Sequence, residues 1–384
     1  MKFLFPKISI SFVWQIIIYL FVNALFILKY LSRTGINAWL VLPFYIAILL
    51  AVIYICFWFR RKASEKTLRI TYWAIILICS VLIGILLVSI DKYSVRVDRW
   101  SAVQFFLDNL FRGEYPYAAH THGSVNNFPS PFPFWYVVNL PFYFLGDVGL
   151  ELIAFLWLVA FAVRYFFKNY KKSLVFIVLL VVSPAYWWEV TVRSDSLSNA
   201  LLVFCFILFY QNKNYSLQKN FIFSVTAVSL LALTRFSALI PLALFFFRQY
   251  IYDLSWSKKI LFPLCVAALF VAGFSPFVFW DTENWVFFDR NPFMSQTSIG
   301  NNYTLLLMLV AGVFTAWRRK TFTEFLFTAA AFIFLFIFVS QVGIFMIYGI
   351  EVSFFNDVHY DISYFTLCLP YCLAYISDKI PNSL

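Results

Sequence analysis

An arginine stands in the middle of the chain without an acidic neighbour in sequence. Arg235 lies between Leu233 and Pro241, among mostly apolar residues. A guanidinium in such surroundings needs a partner, and its planar fork matches the oxygens of a phosphate group. The sequence therefore predicts that Arg235 is an unpaired phosphate ligand. The alternative is an arginine whose charged end extends along an apolar surface to water.

A second polar stretch follows an apolar run and contains both signs of charge. Arg193 and Asp195 stand two residues apart, close to Glu189. A charge near an apolar segment usually faces a cavity or a partner, because its insertion costs about 2.5–3.5 kcal/mol at the centre of a membrane helix. Arg193 and Asp195 are therefore candidates for the wall of a pocket that binds a polar or anionic ligand. The alternative is a local ion pair.

Two carboxylates follow the apolar run that ends near residue 90. Asp91 comes first, and Asp98 stands between Arg96 and Arg99. These arginines would keep Asp98 ionised, since a nearby opposite charge favours the charged form. An ordinary ion pair with either arginine is the structural alternative for Asp98, and a solvated turn is the alternative for Asp91.

Histidine occurs in two further polar stretches. His120 and His122 could bind a metal together with Glu114, but two histidines without a third ligand nearby are a weak metal signal. They are also candidates for contact with a bound substrate, or they belong to a surface loop. Asp357 and His359 alternate along the chain and could line a pocket.

The elements that position these residues follow from the composition. Of 384 residues, 63% are hydrophobic and 12% are charged, and the mean hydropathy is +0.83. A soluble domain has about 45–50% apolar and 25% charged residues. The composition excludes soluble, disordered, collagen-like and coiled-coil chains and predicts an all-α polytopic membrane protein. About twelve apolar runs approach the length of a membrane span: 12–31, 36–59, 70–90, 148–167, 174–188, 197–210, 220–234, 236–247, 260–279, 303–317, 322–347 and 362–377.

The net charge of +11 is explained by the positive-inside rule and does not indicate a nucleic-acid partner. With the N-terminus inside, the inner segments hold twenty of the 29 basic residues and only four of the 18 acidic residues. Both termini are therefore predicted to be cytoplasmic, and the first span is read as an uncleaved helix. The six cysteines lie in apolar runs, so neither disulfides nor a zinc site are expected.

The longest predicted outer loop, 91–147, is where chemistry is expected, because long loops in compact proteins are usually functional. It begins with an amphipathic pattern that Gly113 ends, which predicts a helix lying on the membrane surface. A proline-rich run follows, and then a short apolar helix at about 134–145, also placed at the interface. The other predicted outer loops are 189–196, 280–302 and 348–361.

The order of these motifs resembles the GT-C superfamily of integral-membrane glycosyltransferases, in particular bacterial mannosyltransferase-like members that use polyprenyl-phosphate sugars. The resemblance covers roughly residues 70–380. It depends on an Asp after a span, Gly113-Glu-Tyr-Pro-Tyr117, a proline-rich segment, Pro141 before Leu145-Gly146, Ser183-Pro184, Arg193-Ser194-Asp195, Thr234-Arg235 and His359-Tyr360 before Pro370. The usual Tyr-Pro-Pro of the family is absent.

The resemblance implies an inverting glycosyltransferase that moves a sugar from a polyprenyl-phosphate donor to a glycan or lipid acceptor on the extracytoplasmic face. It implies that Asp98 is the general base, with Asp91 in reserve, and that Arg235 and Arg193 contact the donor phosphate. No cofactor is expected, with a divalent metal as the alternative. The expected location is the bacterial inner membrane, in cell-envelope synthesis. Residues 1–69 would form an extra N-terminal helix pair, and 70–384 the catalytic domain.

Two other classes of function remain open. A twelve-span chain with both ends inside is also typical of a transporter or flippase, although no twofold repetition of the halves is visible. A polymerase or ligase of surface glycans would also have many spans and outer loops with Arg and His. It would use a lipid-diphosphate oligosaccharide.

Overall fold

The fold is described from a computed structural model, which describes residues 9–59, 64–124, 126–296, 302–355 and 361–380. Within these ranges the chain is helical, and the one β-type contact is an isolated bridge between Thr121 and Ser124. The first nine α-helices are α1 Ile10–Phe26, α2 Ala38–Phe59, α3 Glu65–Ser89, α4 Arg99–Arg112, α5 Pro133–Phe144, α6 Glu151–Phe167, α7 Tyr170–Val181, α8 Pro184–Thr191 and α9 Asp195–Asn212. The remainder are α10 Phe221–Ala232, α11 Leu239–Tyr252, α12 Trp256–Val278, α13 Val286–Asp289, α14 Phe293–Gln296, α15 Asn302–Arg318, α16 Phe322–Tyr348 and α17 Leu369–Asp378.

Six helical segments in the described ranges are long and apolar enough to cross a membrane. They are Ile10–Thr34, Ala38–Cys56, Glu65–Ser89, Val148–Phe167, Trp256–Val278 and Phe322–Tyr348. Helices α7 and α8 meet the same criterion as a pair bent by 61°, which gives a seventh. All twelve predicted segments coincide with helix in the structure. Seven of them correspond to these segments, and the remaining five are too short or too polar to meet the criterion for crossing a membrane. The all-helical, membrane-compatible architecture agrees with the sequence, and twelve crossings stay a prediction.

The chain divides into two compact units. The first comprises Met1–Cys79, Val159–Trp188 and Arg318–Leu384, and the second comprises Ser80–Leu158 and Glu189–Trp317. All the candidate site residues that the structure describes belong to the second unit. The division predicted from sequence, 1–69 and 70–384, concerns function and is not tested by this packing.

In the first unit, the break between α7 and α8 follows from Pro184. Proline has no N–H and disfavours helix at the residue before it, so backbone groups on both sides of the break lose their helical hydrogen-bond partners. Side chains replace those partners: the Asn23 amide oxygen accepts from the Ala185 N–H (3.2 Å) and the Ser183 hydroxyl (2.5 Å). The indole of Trp187 donates to the Val181 carbonyl (2.6 Å). The Ser183-Pro184 motif therefore marks a break whose polar groups are satisfied internally, as a membrane requires.

In the second unit, α4 is the amphipathic helix that the sequence predicts for the first outer loop. It ends at Gly113, whose φ of 75° lies in the left-handed region that glycine adopts readily. The Glu114 N–H donates to the Asn109 carbonyl (2.9 Å), which closes the helix in a Schellman arrangement. The short apolar helix also forms, as α5, with Pro133 at its first position, where the missing N–H has no helical partner to lose.

The proline-rich segment before α5 binds the chain just ahead of Arg235. The backbone N–H groups of Phe132 and Phe134 donate to the carbonyls of Thr234 and Leu233, both at 2.9 Å. Arg235 itself is extended, between the end of α10 and the 3₁₀ turn Phe236–Ala238. The long loop and the Arg235 segment are therefore joined by backbone hydrogen bonds within the second unit.

Candidate active site

Arg235 is ion-paired, contrary to the expectation that it has no partner. Its Nη2 lies 2.7 Å from Oδ1 and 2.5 Å from Oδ2 of Asp195, at the start of α9. Asp195 is 2% exposed and Arg235 is 9% exposed. The sequence could not show this partner because it lies forty residues away and tertiary packing brings the two together. Nε of Arg235 is buried and has no hydrogen-bond partner in the described part of the chain.

A second ion pair connects the first turn of α4 to the residues before α9. Nη1 of Arg99 lies 2.7 Å from the Ser194 hydroxyl and 3.5 Å from Oε2 of the buried Glu189. Because Asp98 precedes Arg99, and Ser194 precedes Asp195, the two ion pairs are adjacent in the fold. Arg99 therefore turns toward Glu189, and the alternative in which Arg99 forms an ion pair with Asp98 is not seen.

Arg193 does not pair with Asp195, so the local ion pair considered from the sequence is absent. Its Nη2 donates to the carbonyls of Leu87 (2.5 Å) and Ile90 (3.0 Å), and its Nε lies 3.4 Å from Oδ2 of Asp147. Helix α3 ends here, and its last carbonyls lack helical partners. This geometry explains the buried Arg193 as a cap on the end of α3.

Asp98 precedes the first turn of α4 and is held by the loop that follows the helix. Its Oδ2 accepts from the Thr121 hydroxyl (2.5 Å) and the Asn127 amide (2.8 Å). Gly123 lies against it, so closely that an added Cβ would be 3.1 Å from the Asp98 Cβ. The carboxylate is half-buried, and its Oδ1 has no donor among the residues the structure describes. One oxygen is thus oriented and the other is open.

The remaining candidates of the first loop lie apart from the two ion pairs. Asp91 is exposed and accepts from the Tyr93 N–H (3.1 Å) as the cap of a short 3₁₀ turn. Glu114 and His120 are exposed. His122 has both ring nitrogens hydrogen-bonded, Nδ1 to the Ser101 hydroxyl (2.7 Å) and Nε2 to a backbone carbonyl (2.8 Å).

These two hydrogen bonds give His122 a structural role, in which it holds the first turn of α4 in place. In the described ranges, no group of three or more His, Cys, Asp or Glu is placed to hold a metal ion. Asp357 and His359 lie outside the described residues, so their predicted pocket role stays a prediction.

Sequence reasoning missed a buried polar cluster beside the Arg235–Asp195 pair. Glu151, on α6, is 3% exposed and interacts electrostatically with both members of the pair. Tyr136, on α5, is 2% exposed and stacks on Phe106 with ring centroids 3.4 Å apart. Burial raises the pKa of Tyr136 well above its usual range, while the positive charge of Arg235 acts in the opposite direction. The signal in the sequence that could have identified Glu151 is a single acidic residue at the start of an apolar run.

An apolar groove of about 650 Å³ has Phe236, the residue after Arg235, among its lining residues. It is bounded by α10, α11 and α12, with Phe236 and Phe270 among its lining residues. Every described residue that lines it is apolar except Tyr250, whose hydroxyl donates to the Lys259 carbonyl (2.8 Å). The groove is of a size typical for ligand pockets.

Comparison of the chain with protein-family models, curated proteins and solved structures gives no match. The function proposed below is therefore supported by the geometry of the second unit and by the sequence resemblance.

Proposed function

We propose that the protein is an inverting glycosyltransferase that takes a sugar from a polyprenyl-phosphate donor. The observation that carries this proposal is the hydrogen bonding of the Asp98 carboxylate. A general base must be fixed in position yet have an oxygen open to the substrate hydroxyl. Asp98 has this form, because Thr121 and Asn127 hold one oxygen and leave the other open. It also follows α3, a helix that is long and apolar enough to cross a membrane.

In the proposed reaction, Asp98 removes the proton from an acceptor hydroxyl. The hydroxyl oxygen attacks the anomeric carbon from the face opposite the phosphate. The bond between the anomeric carbon and the phosphate oxygen breaks, and its electron pair leaves with the phosphate. Positive groups fixed beside that phosphate lower the barrier, since they stabilise charge that develops in the transition state.

Arg235 is the proposed ligand of the donor phosphate, with Arg193 as a second candidate. The apolar groove lined by Phe236, the residue after Arg235, supports this role, because the polyprenyl tail of the donor needs an apolar channel near its phosphate. Arg235 already binds Asp195 through Nη2, so the phosphate would bind the remaining nitrogens of the guanidinium. The acceptor is a glycan or a lipid, and no cofactor is proposed.

The site is proposed to face the extracytoplasmic side of a bacterial inner membrane. The bias of basic residues toward one set of short loops supports this topology, with twelve crossings and both termini inside. Short helices such as Phe221–Ala232 would then cross only in part or in a thinned region of the bilayer.

Asp98→Asn tests the proposal. Asparagine has nearly the same shape as aspartate and can still form hydrogen bonds, but it cannot accept the proton of the acceptor hydroxyl. Loss of a general base typically lowers the rate about 10²–10⁴-fold. We expect the variant to bind donor lipid and to lose transfer by that factor, measured with purified protein in nanodiscs and a polyprenyl-phosphate sugar.

Asp91→Asn is the matched control, because Asp91 is an exposed cap of a turn, and it should keep most activity. Near wild-type transfer by Asp98→Asn would remove Asp98 from the reaction. Full activity of Asp98→Asn together with an inactive Asp91→Asn would instead identify Asp91 as the base.

A transporter or flippase is the second candidate, because one observation favours it. Helices α7 and α8 form a broken helix pair, and transporters build substrate sites from such breaks. Movement of labelled lipid-linked sugar across sealed proteoliposomes, without any transfer product, would favour this class.

A further inference from the structure

Three helices of the second unit bring polar side chains into one buried cluster. On α9, Asp195, Ser198 and Asn199 have the i, i+3, i+4 spacing that places them on one face. On α5, Asn139 lies three residues after Tyr136, and on α6 the cluster contains Glu151. All six side chains are at most 3% exposed.

The charges in this cluster do not balance if every acid is ionised. Arg235 neutralises Asp195, to which it is hydrogen-bonded. Glu151 has no cation of its own in the described part of the chain, and its Oε2 has no hydrogen-bond donor there. An isolated buried carboxylate is strongly disfavoured, because desolvating the charge costs much more than desolvating the neutral acid.

The hydrogen-bond pattern shows where a proton would fit. The carboxyl of Glu151 lies next to the side chains of Asn139 and Ser198. The Asn139 amide nitrogen already donates to the Trp135 carbonyl (3.0 Å), which directs the amide oxygen away from that bond. That oxygen and Oε2 of Glu151 are both buried acceptors without a donor in the described residues. Protonation would remove the uncompensated charge of the Glu151 carboxyl and turn it into a hydrogen-bond donor.

We propose that Glu151 is a buried proton-binding site, in which a neutral carboxylic acid donates its O–H to the Asn139 side-chain oxygen. The ligand is a proton, which needs no cavity, and the atoms concerned expose less than 1 Å² each. The charged groups that interact with it are Asp195, at the start of α9, and Arg235, after α10. The site does not depend on sugar transfer.

Infrared spectroscopy of the full-length protein in nanodiscs tests the proposal. A neutral carboxylic acid gives a C=O stretching band that shifts in D₂O, whereas a carboxylate does not. We expect this band in the wild-type protein at neutral pH and its loss in Glu151→Gln. Glu114→Gln, at an exposed acid, and Glu189→Gln, at a buried acid paired with Arg99, should both retain it.

Asn139→Leu keeps the test valid if Glu151→Gln does not fold. Removing the acceptor should move the band to higher frequency, because the O–H of Glu151 loses its hydrogen bond. Absence of the band from the wild type, its survival in Glu151→Gln, or its replacement by a carboxylate signal on adding Na⁺ would each overturn the proposal. The last result would mean that the oxygens hold a metal cation.

Discussion

Replacing Arg235 by methionine removes the positive charge from a pair that is almost fully buried. Its Nη2 lies within 2.7 Å of both oxygens of Asp195, and the two side chains are 11% and 3% exposed. Breaking a buried pair by removing one partner typically lowers the free energy of unfolding by about 3–5 kcal/mol. We expect Arg235→Met to fall in that range, because Asp195 is left buried beside a second acid, Glu151.

Asp195→Asn should cost less than Arg235→Met, although both break the same pair. Without Asp195, the neighbouring carboxyl of Glu151 can ionise and become the counterion of Arg235. The double variant Arg235→Met/Asp195→Leu removes both charges and fills a similar volume, and such replacements are often neutral or stabilising. It should therefore be nearer to wild type in stability than either single variant.

The assay is reversible unfolding in mixed micelles of the wild type, Arg235→Met, Asp195→Asn, Asp195→Leu and the double variant, and the double-mutant cycle uses Asp195→Leu as its second single variant. The coupling energy between positions 235 and 195 should greatly exceed roughly 0.5 kcal/mol, the deviation from additivity that is usual for independent sites. Single variants within about 1 kcal/mol of wild type would show that the pair behaves as an exposed one. If Asp195→Asn costs more than Arg235→Met, Glu151 cannot serve as a substitute counterion.

Two further predictions concern packing and topology. Gly149→Ala should lower the free energy of unfolding by about 1–3 kcal/mol, because its Cβ would lie 2.9 Å from a Leu87 methyl and 3.0 Å from the Arg193 side chain; Gly84→Ala, with nothing within 4 Å, is the matched control and should be neutral or stabilising when measured by the same unfolding assay. In intact cells that express a variant without the native cysteines, an impermeant thiol reagent should label a cysteine introduced at position 124 and not one at position 64; the reverse pattern would contradict the proposed sidedness.

Local features of the fold were predictable because their causes are local. Gly113 ends α4, and Pro184 separates α7 from α8, as their backbone preferences require. The apolar runs located the helices for the same reason. Their lengths did not establish how many of them cross a membrane, since several are shorter than a span.

The pairing of charges was not predictable, because it depends on contacts between distant parts of the chain. Arg235 and Arg193 both appeared as candidates for phosphate binding, yet one binds Asp195 and the other caps α3. The sequence left open an ion pair between Arg99 and its neighbour Asp98, but Arg99 binds Ser194, ninety-five residues away. Sequence spacing identified these charged residues as important and could not assign their partners.

The neutral state proposed for Glu151 bears on how Arg235 could receive a donor phosphate. With Glu151 ionised, the cluster has a net charge of −1 and repels an anion; with Glu151 protonated, the Asp195–Arg235 pair is neutral overall. Glu151→Gln keeps the neutral state permanently, so this variant should bind a polyprenyl-phosphate sugar as tightly as the wild type. Binding is measured in nanodiscs, with Arg235→Met as the variant expected to lose it.

If folded Glu151→Gln binds the donor at least tenfold more weakly, while the infrared band confirms a neutral Glu151 in the wild type, the acid itself contacts the donor. If both Glu151→Gln and Arg235→Met bind normally, the phosphate lies elsewhere, and the role of Arg235 is limited to its pair with Asp195. The proton site and the donor site are separated in this way, because the first is read from the spectrum and the second from binding.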